Sequence, residues 1–448
     1  MHIAHKLIRL TLMTTALGIT TPALADEASL RAELVALRAQ LAAQAEQLQR
    51  LEARLPGVTQ TQTEQAQTFE KAVSAGATSA TPSFASAGGE ASTTIGGYGE
   101  VSYNNYLRDK SRNLADLKRF VLFFGHRFND RISFNSEVEI EHAIASSEDP
   151  GEIEIEQAYL SYAVNPALNV KAGLFLLPFG FINRSHEPPN FFGVERNEVE
   201  TRIIPSTYRE GGVSVFGTTD FGLSYDFGVT TGFSFAKFDD AGSPLRATHQ
   251  ELVLAHAANL QVYGSLEYRP VPGVLVGGAY LTGSTGQSHA DFKADPAGPD
   301  FSGIKGRVTL WDVHARVQQS GFDVQALYAG GGYADSAAID TVIEAFNIAN
   351  GADRPIAPKR FYGWLVQGAY SFKLGDEATL SPFVRYERFN TQSRLPSGLA
   401  ADPENRDKVF TTGFSLKPIS DVVVKLDYQR FSENRENDRI NIGLGYQF

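Results

Sequence analysis

From Ile95 onward the chain alternates apolar and polar residues with a period of two. The last run shows the pattern plainly. Ile440, Ile442, Leu444, Tyr446 and Phe448 fall on one face, and Arg439, Asn441, Gly443, Gly445 and Gln447 on the other. Successive side chains of a strand point to opposite faces, so each run reads as a strand with one apolar and one polar side. Sixteen strands are expected, near 95–108, 117–128, 131–145, 152–164, 168–181, 208–217, 221–236, 259–269, 274–284, 307–319, 322–334, 361–373, 378–391, 408–417, 422–432 and 438–448. One set of connections is short and carries turn chemistry, such as Asn129-Asp130, Thr218-Thr219-Asp220 and Ser320-Gly321. The other set is often long, at 182–207, 237–258, 285–306, 335–360 and 392–407. Strands that are apolar outside and polar inside, with short turns on one rim and long loops on the other, predict an all-β fold: a 16-stranded antiparallel transmembrane β-barrel over residues 93–448. An even strand count places both barrel ends on the short-turn, periplasmic rim. A soluble secreted propeller or solenoid would share the alternation, but it requires neither a terminal aromatic strand nor the short–long loop rhythm.

A different period governs the N-terminal part. Leu30, Leu34, Leu37, Leu41, Leu48, Leu51 and Leu55 are spaced by fours and threes, with Gln44 at the one polar seam position and Pro56 as the stop. This predicts a periplasmic α-helical coiled coil over 26–56, because a lone helix would leave its Leu stripe in water. Packing of the helix on its own barrel is the alternative. Residues 57–92, rich in Gln, Thr, Ser, Ala and Gly, read as a flexible linker. Residues 1–25 read as a cleaved signal peptide: a basic start at Lys6 and Arg9, an apolar stretch, and Ala23-Leu24-Ala25 before the cut. The expected location is the bacterial outer membrane.

Composition narrows the choice further. The 448 residues include 30 Phe, 17 Tyr and 41 Gly, a β-rich usage, and the net charge of -11 argues against a nucleic-acid partner. With no Cys, disulfide frameworks and thiolate metal sites are excluded. The mean hydropathy of -0.19 is compatible with a barrel, in which only alternate residues meet lipid.

Alternation also sorts candidate functional residues. Arg119 and Arg127 fall inside, opposite Phe120, Leu122, Phe124 and Phe128. The next strand places Arg131, Glu137, Glu139 and Glu141 inside; Arg316, Arg385, Lys425 and Asp427 follow on later strands. A charge facing lipid at mid-membrane costs about 2–4 kcal/mol for Arg or Lys, so these side chains are expected to line a wet lumen. The fourth strand breaks parity, since Glu152, Glu154 and Glu156 share a face with Ala158, Leu160 and Tyr162; a bulge near Gln157 would repair it. The clustered Glu residues could serve acid–base or metal chemistry, but an acidic wall paired with Arg and Lys of neighbouring strands is the preferred reading. Neither G-x-S-x-G, a Walker loop nor H-E-x-x-H occurs, so no enzyme, metal or cofactor is expected. The loop 182–207 carries Pro188-Pro189, Phe191-Phe192, Arg184, Arg196 and Arg202, with Arg209 starting the next strand. Folded into the barrel, it would narrow the pore.

Glu156-Gln157-Ala158-Tyr159-Leu160-Ser161-Tyr162, then Val170-Lys171-Ala172-Gly173-Leu174-Phe175, Pro178-Phe179-Gly180 and Tyr208-Arg209-Glu210-Gly211-Gly212-Val213 resemble the phosphate-selective porin family, porins O and P. The resemblance covers about residues 95–448 and implies a homotrimer of sixteen-stranded porins. It also implies a third loop that folds inward with anion-binding Arg, here Arg184, Arg196, Arg202 and Arg209. The implied function is passive diffusion of small anions such as phosphate. It further implies a last strand, with Tyr446 and Phe448, that is read by the barrel assembly machinery among outer-membrane lipid. The acidic balance departs from that pattern, and Glu187, Glu195, Glu198 and Glu200 share the loop. A non-selective or cation-preferring porin, and a plugged structural barrel or adhesin, remain the alternatives.

Overall fold

The structure, a computed structural model, describes residues 92–287, 299–301 and 303–448. The expected signal peptide and coiled coil, and the linker as far as residue 91, lie outside the described residues.

Seventeen antiparallel strand segments close into one sheet among the described residues. In chain order they are β1 (Ser92–Tyr106), β2 (Leu114–Arg127), β3 (Ile132–Glu141), β4 (Ile153–Asn165), β5 (Leu168–Leu176), β6 (Arg209–Thr218), β7 (Leu223–Thr231), β8 (Leu260–Tyr268), β9 (Val274–Gly283), β10 (Val308–Gln319), β11 (Phe322–Tyr333), β12 (Arg360–Tyr370), β13 (Phe372–Leu374), β14 (Ala378–Arg394), β15 (Arg406–Ile419), β16 (Val422–Phe431) and β17 (Arg439–Gln447). β13 continues β12 beyond Ser371 and pairs with the same neighbour, β14, so the wall is a 16-strand closed barrel. Closure is made by β1 against β17. It extends one residue further, because Phe448 and Gly97 exchange both backbone hydrogen bonds at 2.9 Å. Tyr446, opposite Gly99, lays its ring over that glycine, a recurring way to cover a bare position on a strand.

Period-two alternation decides what the wall shows to each side. Ile440, Ile442, Leu444, Val213, Val215, Val262, Val276, Val313, Val384 and Phe410 are exposed outward. Water would not tolerate so continuous an apolar band, whereas the hydrocarbon of a bilayer suits it. Backbone groups in such a wall are satisfied by the closed ladder.

Two of the register shifts reset the alternation near the inward loop. Glu100 pairs with Arg119 but Val101 pairs with Leu117, which turns both Lys118 and Arg119 inward. Glu137 pairs with Gln157 but Val138 with Ile155, so the extra residue is Glu156. That bulge sits next to the position where the broken parity of the fourth strand required one.

The long-loop side departs from the sequence expectation in length and content. β7 ends at Thr231, not near 236, because Phe233, Phe235 and Phe238 leave the wall and pack inside. The connection after β11 holds a helix, α2 (Ser336–Asn350; α1 is the short Val199–Arg202 turn within the inward loop). It buries Ile339 and Ile343. These loop residues join Leu281, Leu310, Leu327, Tyr333 and Phe361 in one buried apolar cluster.

Candidate functional site: a braced loop across the lumen

The segment between β5 and β6, residues 177–208, runs through the barrel interior. Its two ends are stitched together by one side chain. Asn183 Nδ2 donates to the carbonyls of Leu177 (2.6 Å) and Tyr208 (3.0 Å), and Asn183 Oδ1 accepts from Tyr208 N–H (2.6 Å). Glu200 supports the descent, its Oε1 accepting the N–H groups of Phe181 (2.5 Å) and Ile182 (2.8 Å).

Further along, the loop meets the far wall. Lys425 Nζ donates to Gly193 O (2.8 Å) and lies 3.6 Å above the Phe191 ring. Asp427 accepts the Val194 N–H (2.6 Å), Ser415 Oγ donates to Phe192 O (2.8 Å), and Phe192 stacks on Phe383. The wall makes room with glycine. A Cβ on Gly445 would lie 2.3 Å from Pro188 Cβ, and one on Gly443 would lie 3.0 Å from Val194 Cγ1. Across the barrel, α1 rests on β12, where a Cβ on Gly363 would lie 2.9 Å from Ile203. Each seat must be bare for the loop to approach the sheet.

The expected inner-face residues fall into four groups. Arg385, Lys425 and Asp427 hold the loop or its neighbours: Arg385 is buried, donates to Glu387 Oε1 (2.8 Å) and borders Gly193. Arg119, Glu137, Glu139 and Glu141 sit on the inner wall of β2 and β3, with Arg119 paired to Glu100 (2.9 Å) and Glu139 (3.3 Å). Arg127 keeps inner-face parity on β2, and Arg316 pairs with Asp323 through two nitrogens (2.9 and 2.6 Å). Arg131 is a correction. It lies exposed in the turn before β3 and donates to the exposed Tyr162 Oη (3.3 Å) instead of lining the lumen. β3 begins one residue later than alternation alone suggests, at Ile132, which leaves Arg131 in the turn.

On the long-loop side of this segment lies a cavity of about 820 Å³, lined by ten Asp or Glu and eight Lys or Arg. Most of these charges are already matched. Arg202 pairs with Glu198 (2.6 Å), and Arg209 with Glu154 (2.6 Å) and Glu251 (2.7 Å); Arg184, which does not line the cavity, pairs with Glu267 (3.1 Å). Lys118 is ion-paired with Glu195, which also accepts from Asn104 (2.9 Å). Burial alone would raise the Glu195 carboxyl, but Lys118 and Arg439 outweigh it and hold it at about 2. Glu251 is held at about 2 as well: burial opposes, while His249 and Arg209 prevail. Arg196 differs from these. Its Nε and Nη2 are buried and have no hydrogen-bond partner among the described residues.

Lys118, Arg246, His249 and Glu251 also line this cavity and were not singled out in the sequence. The adjacent Lys118-Arg119 pair was the one available signal, because two neighbouring charges cannot both face inward without a bulge.

This architecture is that of a porin-type barrel. Salmonella typhi OmpF, in complex with daunomycin, superimposes with a TM-score of 0.53 at 14% identity, over 80% of this chain and 97% of OmpF. The anion-selective porin from Comamonas acidovorans gives a TM-score of 0.49 at 11% identity, over 80% and 100%. No family model matches the sequence. A protein of Aquifex aeolicus (strain VF5), described only as uncharacterized, is 31% identical over 361 residues, 79% of this chain and 80% of that protein, and the chain belongs to the same family.

Proposed function

We propose that the chain is an outer-membrane porin of a bacterium: a channel for passive diffusion whose constriction is the inward loop 177–208. Its selectivity follows from the charges that the loop leaves unmatched. The observation that carries this reading is Arg196, a guanidinium on the cavity lining whose buried Nε and Nη2 have no hydrogen-bond partner among the described residues, while the three other Arg of the expected constriction set are each paired with carboxylates. Ordinary salt screens exposed charges beyond about 8–10 Å, so the acidic balance of the whole chain matters less than the charge at the narrowest point. Small anions are therefore the proposed solutes. The resemblance to the phosphate-selective porins supports the same direction, with phosphate as the finer proposal. It also supports a homotrimer and handling of the Tyr446–Phe448 end by the barrel assembly machinery.

The lining itself favours a second reading. Ten carboxylates against eight basic groups would suit a cation-preferring porin if Arg196 were outweighed. Reversal potential in a salt gradient across a planar bilayer separates the two. Anion preference is expected, and Arg196→Ala should lower it by about twofold or more, since about 0.5 kcal/mol, mid-range for an exposed charge pair, is a factor of about two. Arg202→Ala should do less, because it removes a cation already paired with Glu198. Native cation preference that ignores Arg196→Ala would overturn the anion reading.

A further inference from the structure

The base of the inward loop meets the wall at a group of charges that the diffusion pathway does not explain. Glu137 on β3, Glu156 on β4 and His186 on the loop bring one ligand atom each to within 4.8 Å of one another. Glu139 and Glu154 form a second such trio with the same Glu156. The bulge of β4 is what turns Glu156 into this space, and bulges are a recurring means of re-aiming a functional side chain.

Glu156 is 0% exposed, and neither of its oxygens has a hydrogen-bond partner among the described residues. The nearest basic nitrogens stand off, His186 Nε2 at 3.6 Å and Arg209 Nη1 at 3.9 Å. Two of the Arg nearby are already divided, Arg119 between Glu100 and Glu139, Arg209 between Glu154 and Glu251, and a third, Arg196, is in electrostatic range of Glu156 without a hydrogen bond to it. Tyr98, also 0% exposed, has an unpartnered hydroxyl in electrostatic range of Glu137, Glu139 and Glu156, and its ring is 5.7 Å from that of His186. A buried carboxylate without a partner is costly.

The imidazole is set as a ligand would be. His186 Nδ1 faces the carbonyl of Asn183 at 3.3 Å, and a carbonyl can only accept, so Nδ1 carries the proton. Nε2 is left pointing at Glu137 (3.3 Å) and Glu156. A backbone carbonyl on the second ring nitrogen is the usual outer-shell support of a metal-bound histidine.

We propose that Glu137, Glu156 and His186 bind a divalent cation of the zinc type, which fastens the base of the inward loop to the β3–β4 wall. One imidazole nitrogen with carboxylate oxygens suits zinc better than calcium or magnesium, which prefer all-oxygen shells. Glu139 and Glu154, on the lumen cavity, give the ion a way in.

The test uses the full chain folded in detergent, stripped with a chelator, and titrated calorimetrically with Zn²⁺ at neutral pH. One Zn²⁺ per chain is expected, with Ca²⁺ and Mg²⁺ binding far more weakly. Glu156→Gln and His186→Gln should each weaken Zn²⁺ binding by at least about tenfold, the loss that even an outer-shell change produces. X-ray absorption of the zinc-loaded native protein should show one imidazole nitrogen among oxygens, a readout that needs no variant to fold. Absence of a one-to-one site, or Zn²⁺ binding indifferent to both substitutions, would overturn the proposal. So would a protonated-carboxyl infrared band that persists while no zinc is taken up, because a shared proton would then be what holds the carboxylates together.

Discussion

Two parts of the same lumen are built on opposite terms. Near β1–β4, β16 and β17 the interior is charged and hydrogen-bonded, with Glu100, Arg119, Lys118, Glu195 and Asn441 facing a cavity or one another. Near β8–β12, on the long-loop side, the interior is an apolar core: Leu281, Leu310 and Leu327 of the wall meet Phe233, Phe235, Phe238, Ile339 and Ile343 of the loops. Strand geometry is the same in both. The difference is that the loops after β7 and β11 fold inward on one side and supply apolar surface, so the inner wall facing them can be apolar too. A barrel wall need not be lipid-facing to be hydrophobic; it needs only something dry to meet.

The sharpest way to break this contrast is to remove an anchor of the apolar side. Phe235 is buried among Phe238, Phe301 and Tyr333, with ring centroids 4.8–5.3 Å away. Phe235→Ala should cost about 3–5 kcal/mol of loop packing. The expected readout is faster proteolysis of the long loops and noisier single-channel current, with the barrel still heat-modifiable on gels. Quiet current and unchanged proteolysis would mean that the cluster does not hold the loops.

A smaller effect is expected where the charged side receives the inward loop. Gly445→Val should clash with Pro188 and cost about 1–3 kcal/mol, the range for overfilling a packed site. Conductance should rise as the loop is displaced. A conductance equal to that of the native protein would show that the loop does not limit flow at this point.

The smallest effect concerns pH on the apolar side. Burial raises the Asp340 carboxyl of α2 from 3.8 to about 6, only partly offset by the Ala357 N–H it accepts. A carboxyl raised in the folded state favours its protonated form. The docking of α2 should therefore be firmest below pH about 4 and loosen as pH rises through about 6. Hydrogen exchange in α2, corrected for intrinsic rates, should show this trend, and Asp340→Asn should abolish it.

These contrasts also mark what the sequence could show. The wall was legible because period two is imposed on every strand by the need to face lipid on one side, and the expected strands lie close to the observed ones. Even the β4 parity break pointed near the Glu156 bulge. Face is not partner, however. Lys425 and Asp427 alternate like free lumen charges, yet they are occupied by Gly193 and Val194, residues more than two hundred positions away. Nor does alternation mark where a strand stops. The run through Phe233 and Phe235 continues the apolar usage of β7 while the backbone has already turned into the barrel. The helix α2 carried its own signal, Ile339, Val342, Ile343 and Phe346 at helical spacing with Gly351 (φ 62°) closing it, inside a stretch read as loop. For the expected constriction set, the sequence offered basic residues but not which of them would lack a carboxylate partner among the described residues, because that depends on carboxylates brought in from β4, β8 and the loop after β7.

The glycine seats have a mechanical consequence. A loop tied at its root between β5 and β6, and seated on β17 at one side and β12 at the other, is a chord fixed across a ring. An unbraced hoop flattens easily under uneven lateral pressure, whereas one with a fixed chord keeps its diameter along that chord. The width of the opening beside the loop is thus referenced to covalent and hydrogen-bonded lengths within the chain, and not to the tension of the surrounding bilayer.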